Sequence, residues 1–261
     1  MSIESAGGKL RLQKALSRAG HLSRRHAEIL ISQGRIRVNG HRVTEMGTHV
    51  TPGRDIVSID EKVVPLDSSS RYLMLHKPKG VISSLSDDRG RPDLSGFVTE
   101  IGERVVNVGR LDADTTGLLL MTNDGDLTHR LSHPSFEISK SYLATVRGAM
   151  GSKKLRQLRS GVELEDGIMA ADSVKVVGEP RGSVSIIEIV IHSGRNRVVR
   201  RLFESIGNPV LSLHRKSIAG VHLGGLKVGK WRDLSGPEIQ QFLTIAYRAV
   251  PDLKKRGIQS D

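Results

Sequence analysis

The sequence predicts an α+β protein of two units, a small basic one followed by a larger one. Three observations predict it. Short apolar segments of strand length alternate with segments of helical period along most of the chain. The stretch Asp67-Ser68-Ser69-Ser70 buries little, supports no core and reads as a linker. Charge is uneven: residues 9–65 hold eleven Lys/Arg against five Asp/Glu, half of the net charge of +12 in under a quarter of the 261 residues. On this reading residues 1–8 are a flexible tail, 9–66 the basic unit and 67–70 the linker. Residues 71–249 form the larger domain and 250–261 a second flexible, basic tail.

Taken in order, Leu10, Leu12, Ala15, Leu16 and Ala19 approximate helical spacing, and Gly20 stops that helix. Ser23 is a good N-cap for a second helix, which Gly34 ends. Arg35-Ile36-Arg37-Val38 and His41-Arg42-Val43-Thr44 read as a hairpin. Its turn, Asn39-Gly40, suits positive φ at both positions. In the larger domain Tyr72-Leu73-Met74-Leu75, residues 104–108 and residues 117–122 read as strands. Residues 152–160 read as a helix capped by Ser152. Residues 196–206 read as another, with Val199, Leu202, Phe203 and Ile206 on one face. Pro237 opens a third helix, to Tyr247.

Composition narrows the chemistry. Hydrophobic residues at 37% and charged residues at 26% suit a water-soluble globular chain. The basic excess points to a polyanionic partner, and charge alone leaves RNA, DNA and anionic membrane surfaces open. There are no cysteines, which removes disulfides, thiol nucleophiles and Cys-ligated metal sites. The first eight residues lack the apolar core of a signal peptide. Residues 184–191, the longest apolar run, are interrupted by Ser185 and Glu188 and are too short to span a membrane. No membrane partner and a cytoplasmic location are expected. The ten histidines form no HExxH pattern, and no Walker or Gly-x-Gly-x-x-Gly loop is present. That argues against an NTPase or a methyltransferase.

One carboxylate stands out. Asp112 lies on a short loop between the strand-like residues 104–108 and 117–122. An acidic group at such an edge is costly if it enters the protein without a partner. It is therefore either a turn residue facing water or a placed reactive group, and spacing alone leaves both open.

Two resemblances bear on that choice. Residues 12–20, Ser23-Arg24-Arg25-His26-Ala27-Glu28 and residues 34–40 resemble an S4 (αL-type) RNA-binding domain over about residues 9–66. Arginines near a helix start add to its positive end and suit phosphates. Gly109-Arg110-Leu111-Asp112-Ala113-Asp114-Thr115-Thr116-Gly117-Leu118-Leu119 resembles the catalytic signature of the RsuA/RluB/RluE/RluF family of ribosomal RNA pseudouridine synthases. Matching text continues at residues 75–81, Lys140-Ser141-Tyr142, residues 194–202 and Gly229-Lys230-Trp231-Arg232. His76 and Val198 depart from the family's common Asn and Gln, which bears on packing of the sheet and pocket.

The resemblance implies a mixed, largely antiparallel sheet flanked by helices, with no cofactor and no metal. It implies isomerisation of uridine to pseudouridine in ribosomal RNA. Overall likeness to the RluB branch favours the large subunit over the small. The expected partner is a ribosomal RNA stem-loop or a ribosome-assembly intermediate, bound by a monomer. A noncatalytic assembly factor on the same fold is the rival. Asp112 takes the catalytic slot and Arg200 the slot of the basic residue that pairs with it. Tyr142, one of only three tyrosines, takes the base-stacking slot, and Leu202 the pocket wall. Asp114, Lys77 and Pro78 read as noncatalytic. The expected RNA contacts are Arg11, Lys14, Arg24, Arg25, Arg35 and Arg37 in the basic unit, with Arg110 and Arg197 in the larger domain.

Overall fold

The computed structural model describes residues 8–66, 70–132, 137–178 and 183–248. Residues 1–7, 67–69 and 250–261, where the sequence places tails and linker, lie outside that range. The described chain forms two compact units. The first takes residues up to Arg71 together with Phe97–Val106 and Thr122–Gly125. The second takes Tyr72–Gly96, Asn107–Met121 and the chain from Asp126 onward.

The first unit runs β1 (Leu10–Arg11), α1 (Leu12–Arg18), α2 (Arg24–Ser32), β2 (Ile36–Val38), β3 (His41–Val43), β4 (His49–Val50), β5 (Val57–Ile59) and β6 (Lys62–Val64). Its core is made by Leu12, Ala15 and Leu16 of α1, Ala27, Leu30 and Ile31 of α2, and Ile36, Val50 and Val57 of the strands. The Ser23 cap is present: its hydroxyl accepts from His26 N at 3.1 Å. Asn39 (φ +51) and Gly40 (φ +81) make the tight turn of the β2–β3 hairpin. The Asn39 side chain also ties that turn to Asp55 and to the Ile56 amide, both at 2.9 Å. Leu10 departs from the expected helix. It pairs with Val50 in a two-stranded ladder, so a long-range partner overrides the helical spacing.

The second unit opens with β7 (Tyr72–Lys77), and α3 (Ser95–Ile101) follows in the chain. Next come β8 (Val106–Val108), β9 (Thr115–Thr122), α4 (Gly125–Ser132), β10 (Lys140–Arg147) and α5 (Ser152–Ser160). The short hairpin β11 (Val162–Leu164) and β12 (Gly167–Met169) precedes β13 (Ser173–Val176), β14 (Val184–Ile191) and α6 (Val198–Ser205). β15 (Val210–Ile218), β16 (Val221–His222), β17 (Trp231–Asp233) and α7 (Gly236–Arg248) complete it. One mixed sheet runs β13-β14-β10-β15-β9-β7-β17, with β8 on β9 and β16 on β15. β15 and β9 are parallel, whereas β13–β14, β14–β10, β10–β15 and β7–β17 are antiparallel.

Burial along the strands follows their place in the sheet. β14 alternates strictly between buried and half-buried positions, as a strand with one covered face does. β9, inside the sheet, is buried at almost every position. Leu118 and Leu120 of β9 pack with Met74, Val108, Ile218 and the α7 residues Phe242 and Ala246. One expected cap and one expected helix start shift. Ser152 is the first residue of α5, after Gly151. α6 begins at Val198, because Arg197 adopts the left-handed conformation (φ +47). No helix among the described residues is long and apolar enough to cross a membrane.

Candidate active site

Asp112 sits on the β8–β9 connection, at the first position of a turn that Thr115 N closes on Asp112 O at 3.0 Å. Gly109 (φ +68) takes the chain into it through a conformation that favours glycine. The loop is braced from the segment after β7. Ser83 Oγ donates to Leu111 O at 2.8 Å and accepts from Leu111 N at 3.0 Å, satisfying both backbone groups of the residue before Asp112. Gly80 N donates to Ala113 O at 2.7 Å on the other side. Lys77 holds the bracing segment in shape. Its buried ammonium donates to Pro78 O at 3.0 Å and to Val81 O at 2.6 Å. Lys77 and Pro78 thus act on the shape of the loop, which is why the stretch from Leu75 to Val81 accompanies the aspartate.

The aspartate opens on a cavity of about 390 Å³, inside the range of roughly 300–1,000 Å³ common to small-molecule sites. Its lining includes Arg110, Leu111, Asp112, Lys140, Tyr142, Arg197, Val198, Val199 and Arg215. All of these belong to the second unit. Asp112 is 34% exposed, and Arg197 Nη1 stands 3.5 Å from its Oδ2. Tyr142 is buried on β10. Arg110 is exposed.

Arg200 does not occupy the expected place. Its guanidinium is 11% exposed and pairs with Asp114 Oδ2 at 3.0 Å. It also donates to Asp114 O at 3.2 Å, Thr115 Oγ1 at 3.4 Å and Val210 O at 3.4 Å. Arg200 therefore clamps the far side of the aspartate's turn, and Arg197 is the cation beside Asp112. The reason is local: Arg197 stands just outside α6, while Arg200 lies in its first turn. Arg197 also lies 3.6 Å from Asp114, so Asp114 joins the two arginines. Leu202 is a second correction. It is fully buried on the apolar face of α6 and does not line the cavity, whereas Val198 and Val199 do.

Three functional candidates escaped the sequence reading. Ser83 lies in a loop with no periodicity to mark it. Lys140 is part of the Lys140-Ser141-Tyr142 match but received no role. It lines the cavity and donates to Ile138 O at 2.8 Å. Burial, aided by the nearby Arg215, pulls its ammonium down to about 8 against the opposing pull of Asp172. Arg215 is 2% exposed and lines the same cavity. Its signal was available: Leu213, Arg215 and Ser217 are the inward positions of a period-two strand.

The first unit holds the other expected RNA contacts. Arg11, Arg24 and Arg25 are exposed, and Lys14 is half-buried. Arg35 is engaged bidentately by Asp60. Arg37 donates to Gly40 O at 3.1 Å and lies 3.8 Å from Glu61. Arg37 thus braces the β2–β3 hairpin and Arg35 ties its start to the β5–β6 turn, as well as adding charge.

A mixed sheet that presents a braced aspartate, an arginine partner and a buried tyrosine to one cavity defines a class. Residues 71–205 match the RNA pseudouridylate synthase family model and residues 10–56 match the S4 domain. The chain belongs to the RNA pseudouridylate synthase family and is an enzyme, an RNA isomerase. It is 47% identical over 244 residues to an RNA pseudouridine synthase of Mycobacterium tuberculosis, covering 92% of this chain and 94% of that one. It is 43% identical over 237 residues to the ribosomal large subunit pseudouridine synthase B of Bacillus subtilis, covering 90% and 96%. A crystal structure of a pseudouridylate synthase superposes with a TM-score of 0.60 at 29% identity, covering 89% of this chain and 99% of that one.

Proposed function

We propose that this enzyme isomerises a uridine of large-subunit ribosomal RNA, in the cytoplasm and as a monomer, with Asp112 facing C1′ of the target sugar. The observation that carries the reading is Asp112 itself: a carboxylate on a loop braced at Leu111 and Ala113, open to a cavity of about 390 Å³. The name of the Bacillus subtilis relative supports the large subunit.

The chemistry needs one carboxylate. A glycoside hydrolase uses two because it must both release a leaving group and install water or a nucleophile. Here the ring never leaves. The C1′–N1 bond breaks, the ring turns, C5 bonds to C1′, the C5 proton departs and N1 ends protonated. Nothing is gained or lost. Asp112 attacks or electrostatically supports C1′, and Arg197 keeps its charge matched in a partly enclosed site. Tyr142 stacks on the flipped base, worth roughly 1–3 kcal/mol, and stands ready to take the C5 proton. Arg200 is a positioning residue, acting through the turn it clamps. Flipping the nucleotide costs a few kcal/mol, least in a loop already unpaired. Arg24 and Arg25 supply charge for RNA capture.

The test is Asp112→Asn, assayed by tritium release from RNA labelled at uridine C5. The variant folds, binds RNA and releases no tritium; substantial residual release overturns the role of Asp112. Carbodiimide-dependent reverse-transcription stops, mapped in cells with and without the protein, identify the target. A stop lost from small-subunit RNA alone overturns the assignment to the large subunit.

A further inference from the structure

We propose that Arg215 donates a hydrogen bond from Nη2 to a carbonyl oxygen of the uracil ring and holds that ring while it is detached from the ribose. The proposal rests on the reading that the Asp112 cavity is where the reaction occurs. It starts from an arginine in a place where arginines are rarely tolerated. Arg215 is 2% exposed, in a strand whose other inward positions are Leu213 and Ser217. Its side chain is a guanidinium, so the site holds a buried cation.

Its partners account for only part of it. Nε donates to Leu118 O at 2.7 Å. Nη2 is buried with no hydrogen-bond partner among the described residues. Among those residues no carboxylate lies within ion-pair distance of it either; the ion pairs at this site are Arg197 with Asp112 and Asp114, and Arg200 with Asp114. The surrounding charge makes matters worse. Burial lowers the ammonium groups of Lys77 and Lys140 to about 8, and Arg215 is close enough to each to add to that lowering. A buried, unmatched donor next to two further cations is a costly arrangement for stability alone.

The arrangement makes sense if negative charge arrives during the reaction. When the C1′–N1 bond breaks, the electron pair leaves with the ring and spreads over N1, O2 and O4. It returns when C5 bonds to C1′ and the C5 proton is transferred away. A donor fixed in advance at one of those oxygens binds the detached ring more strongly than the intact uridine, which is the condition for catalysis. The register puts Arg215 where the ring must be. It lies directly opposite Tyr142 on β10 and opposite Gly117 on β9. Both Arg215 and Tyr142 line the cavity. The base is the favoured occupant over a phosphate, because Arg215 is buried whereas Arg110, Arg195 and Arg197 offer exposed cations on the same lining.

The experiment measures coupling between Arg215 and the ring. The full-length enzyme, Arg215→Met and Arg215→Lys react under single turnover with RNA carrying uridine, 2-thiouridine or 4-thiouridine at the target, each tritiated at C5. Thermal melts accompany every variant. Sulfur accepts hydrogen bonds poorly, so replacing the bonded oxygen slows the wild-type enzyme. Arg215→Met slows uridine turnover by roughly 100- to 1,000-fold, as loss of a donor to developing charge does. In that variant sulfur at the bonded position adds little further loss, while sulfur at the other position acts on both enzymes alike. Arg215→Lys, which keeps the charge without the planar fork, falls between, and it carries the same cycle if Arg215→Met does not fold. Thio effects that pass undiminished into both variants overturn the proposal in favour of a purely structural arginine. So does wild-type turnover by Arg215→Met. If a phosphorothioate beside the target is the substitution whose effect disappears, the group held is a phosphate and the proposal fails. Asp112→Asn run in parallel separates the readings: its retained activity removes the proposed role of Asp112 and leaves the Arg215 coupling to be read independently.

Discussion

Gly117→Ala isolates how the aspartate's motif is joined to the rest of the cavity wall. Gly117 belongs to the stretch from Gly109 to Leu119 but lies five residues beyond Asp112, in β9. A Cβ there would stand 2.3 Å from Arg215 O, 2.6 Å from Arg215 N and 3.0 Å from Arg215 C. These are backbone atoms of a paired strand, so no side chain can swing aside. Overpacking of this kind costs about 1–3 kcal/mol. The residue also sits at φ +109, and a left-handed conformation adds about 1–2 kcal/mol for alanine. Together they give about 3 kcal/mol, or a melting temperature lower by roughly 6–12 °C for a chain of this size. The strands must part to admit the methyl group, and Arg215 and its cross-strand neighbour Tyr142 move with them. A displacement near 1 Å costs about 100-fold in rate. Calorimetry and tritium release check both numbers, with Gly225→Ala as the control, since its Cβ would meet nothing within 4 Å. A Gly117→Ala enzyme that melts within about 2 °C of wild type and turns over normally refutes this reasoning.

Three further outcomes follow from the same geometry. Ser83→Ala leaves the amide and carbonyl of Leu111 without their shared partner, which costs about 2–4 kcal/mol and lowers turnover through the loop that carries Asp112; urea unfolding and single-turnover rates measure both. Replacing Arg24 and Arg25 with Gln weakens RNA binding and lowers its salt slope by up to about 1.4–1.8, read from affinity against salt concentration; an unchanged slope removes them from the interface. Lys77 contributes a pH signature. Burial, with help from Arg215, pulls its ammonium down to about 8 against Asp112 and Asp114, while an unfolded lysine titrates near 10.4. Between those values the unfolded state holds more protons, so this group's contribution to stability rises with pH there and is flat below about 8. The unfolding free energy of wild type relative to Lys77→Met should climb between pH 8 and 10 by up to about 1.4 kcal/mol per pH unit; parallel profiles count against it.

Elements set by local chemistry were legible before any coordinates. The Ser23 cap, the Asn39-Gly40 turn and the apolar face of α6 depend on a few adjacent residues, and each is present. What stayed hidden depends on chain segments that meet from afar. Leu10 carries a helical spacing that pairing with Val50 overrides. Ser83 reaches Leu111 across 28 residues, and nothing in its own neighbourhood signals the contact. Arg215 is the intermediate case. Its inward position follows from strand period, but only the sheet order shows that Tyr142 and Gly117 flank it.

The exchange of arginines around the aspartate has the same origin. A motif match assigns partners by position in a pattern, and Arg200 fills the slot of a partner for Asp112. Which arginine reaches which carboxylate is decided by where α6 starts and where the turn closes. The left-handed Arg197 stops the helix from extending to it and leaves its side chain beside Asp112. Arg200, in the first turn, meets the carboxylate two residues further along the turn. Asp114 therefore gains a purpose that its chemistry alone does not suggest. It takes up Arg200 and part of Arg197, and so fixes the turn on which Asp112 is carried. If Asp112 faces the sugar, as proposed, the two aspartates divide the work, and Asp114 holds still the loop that presents it.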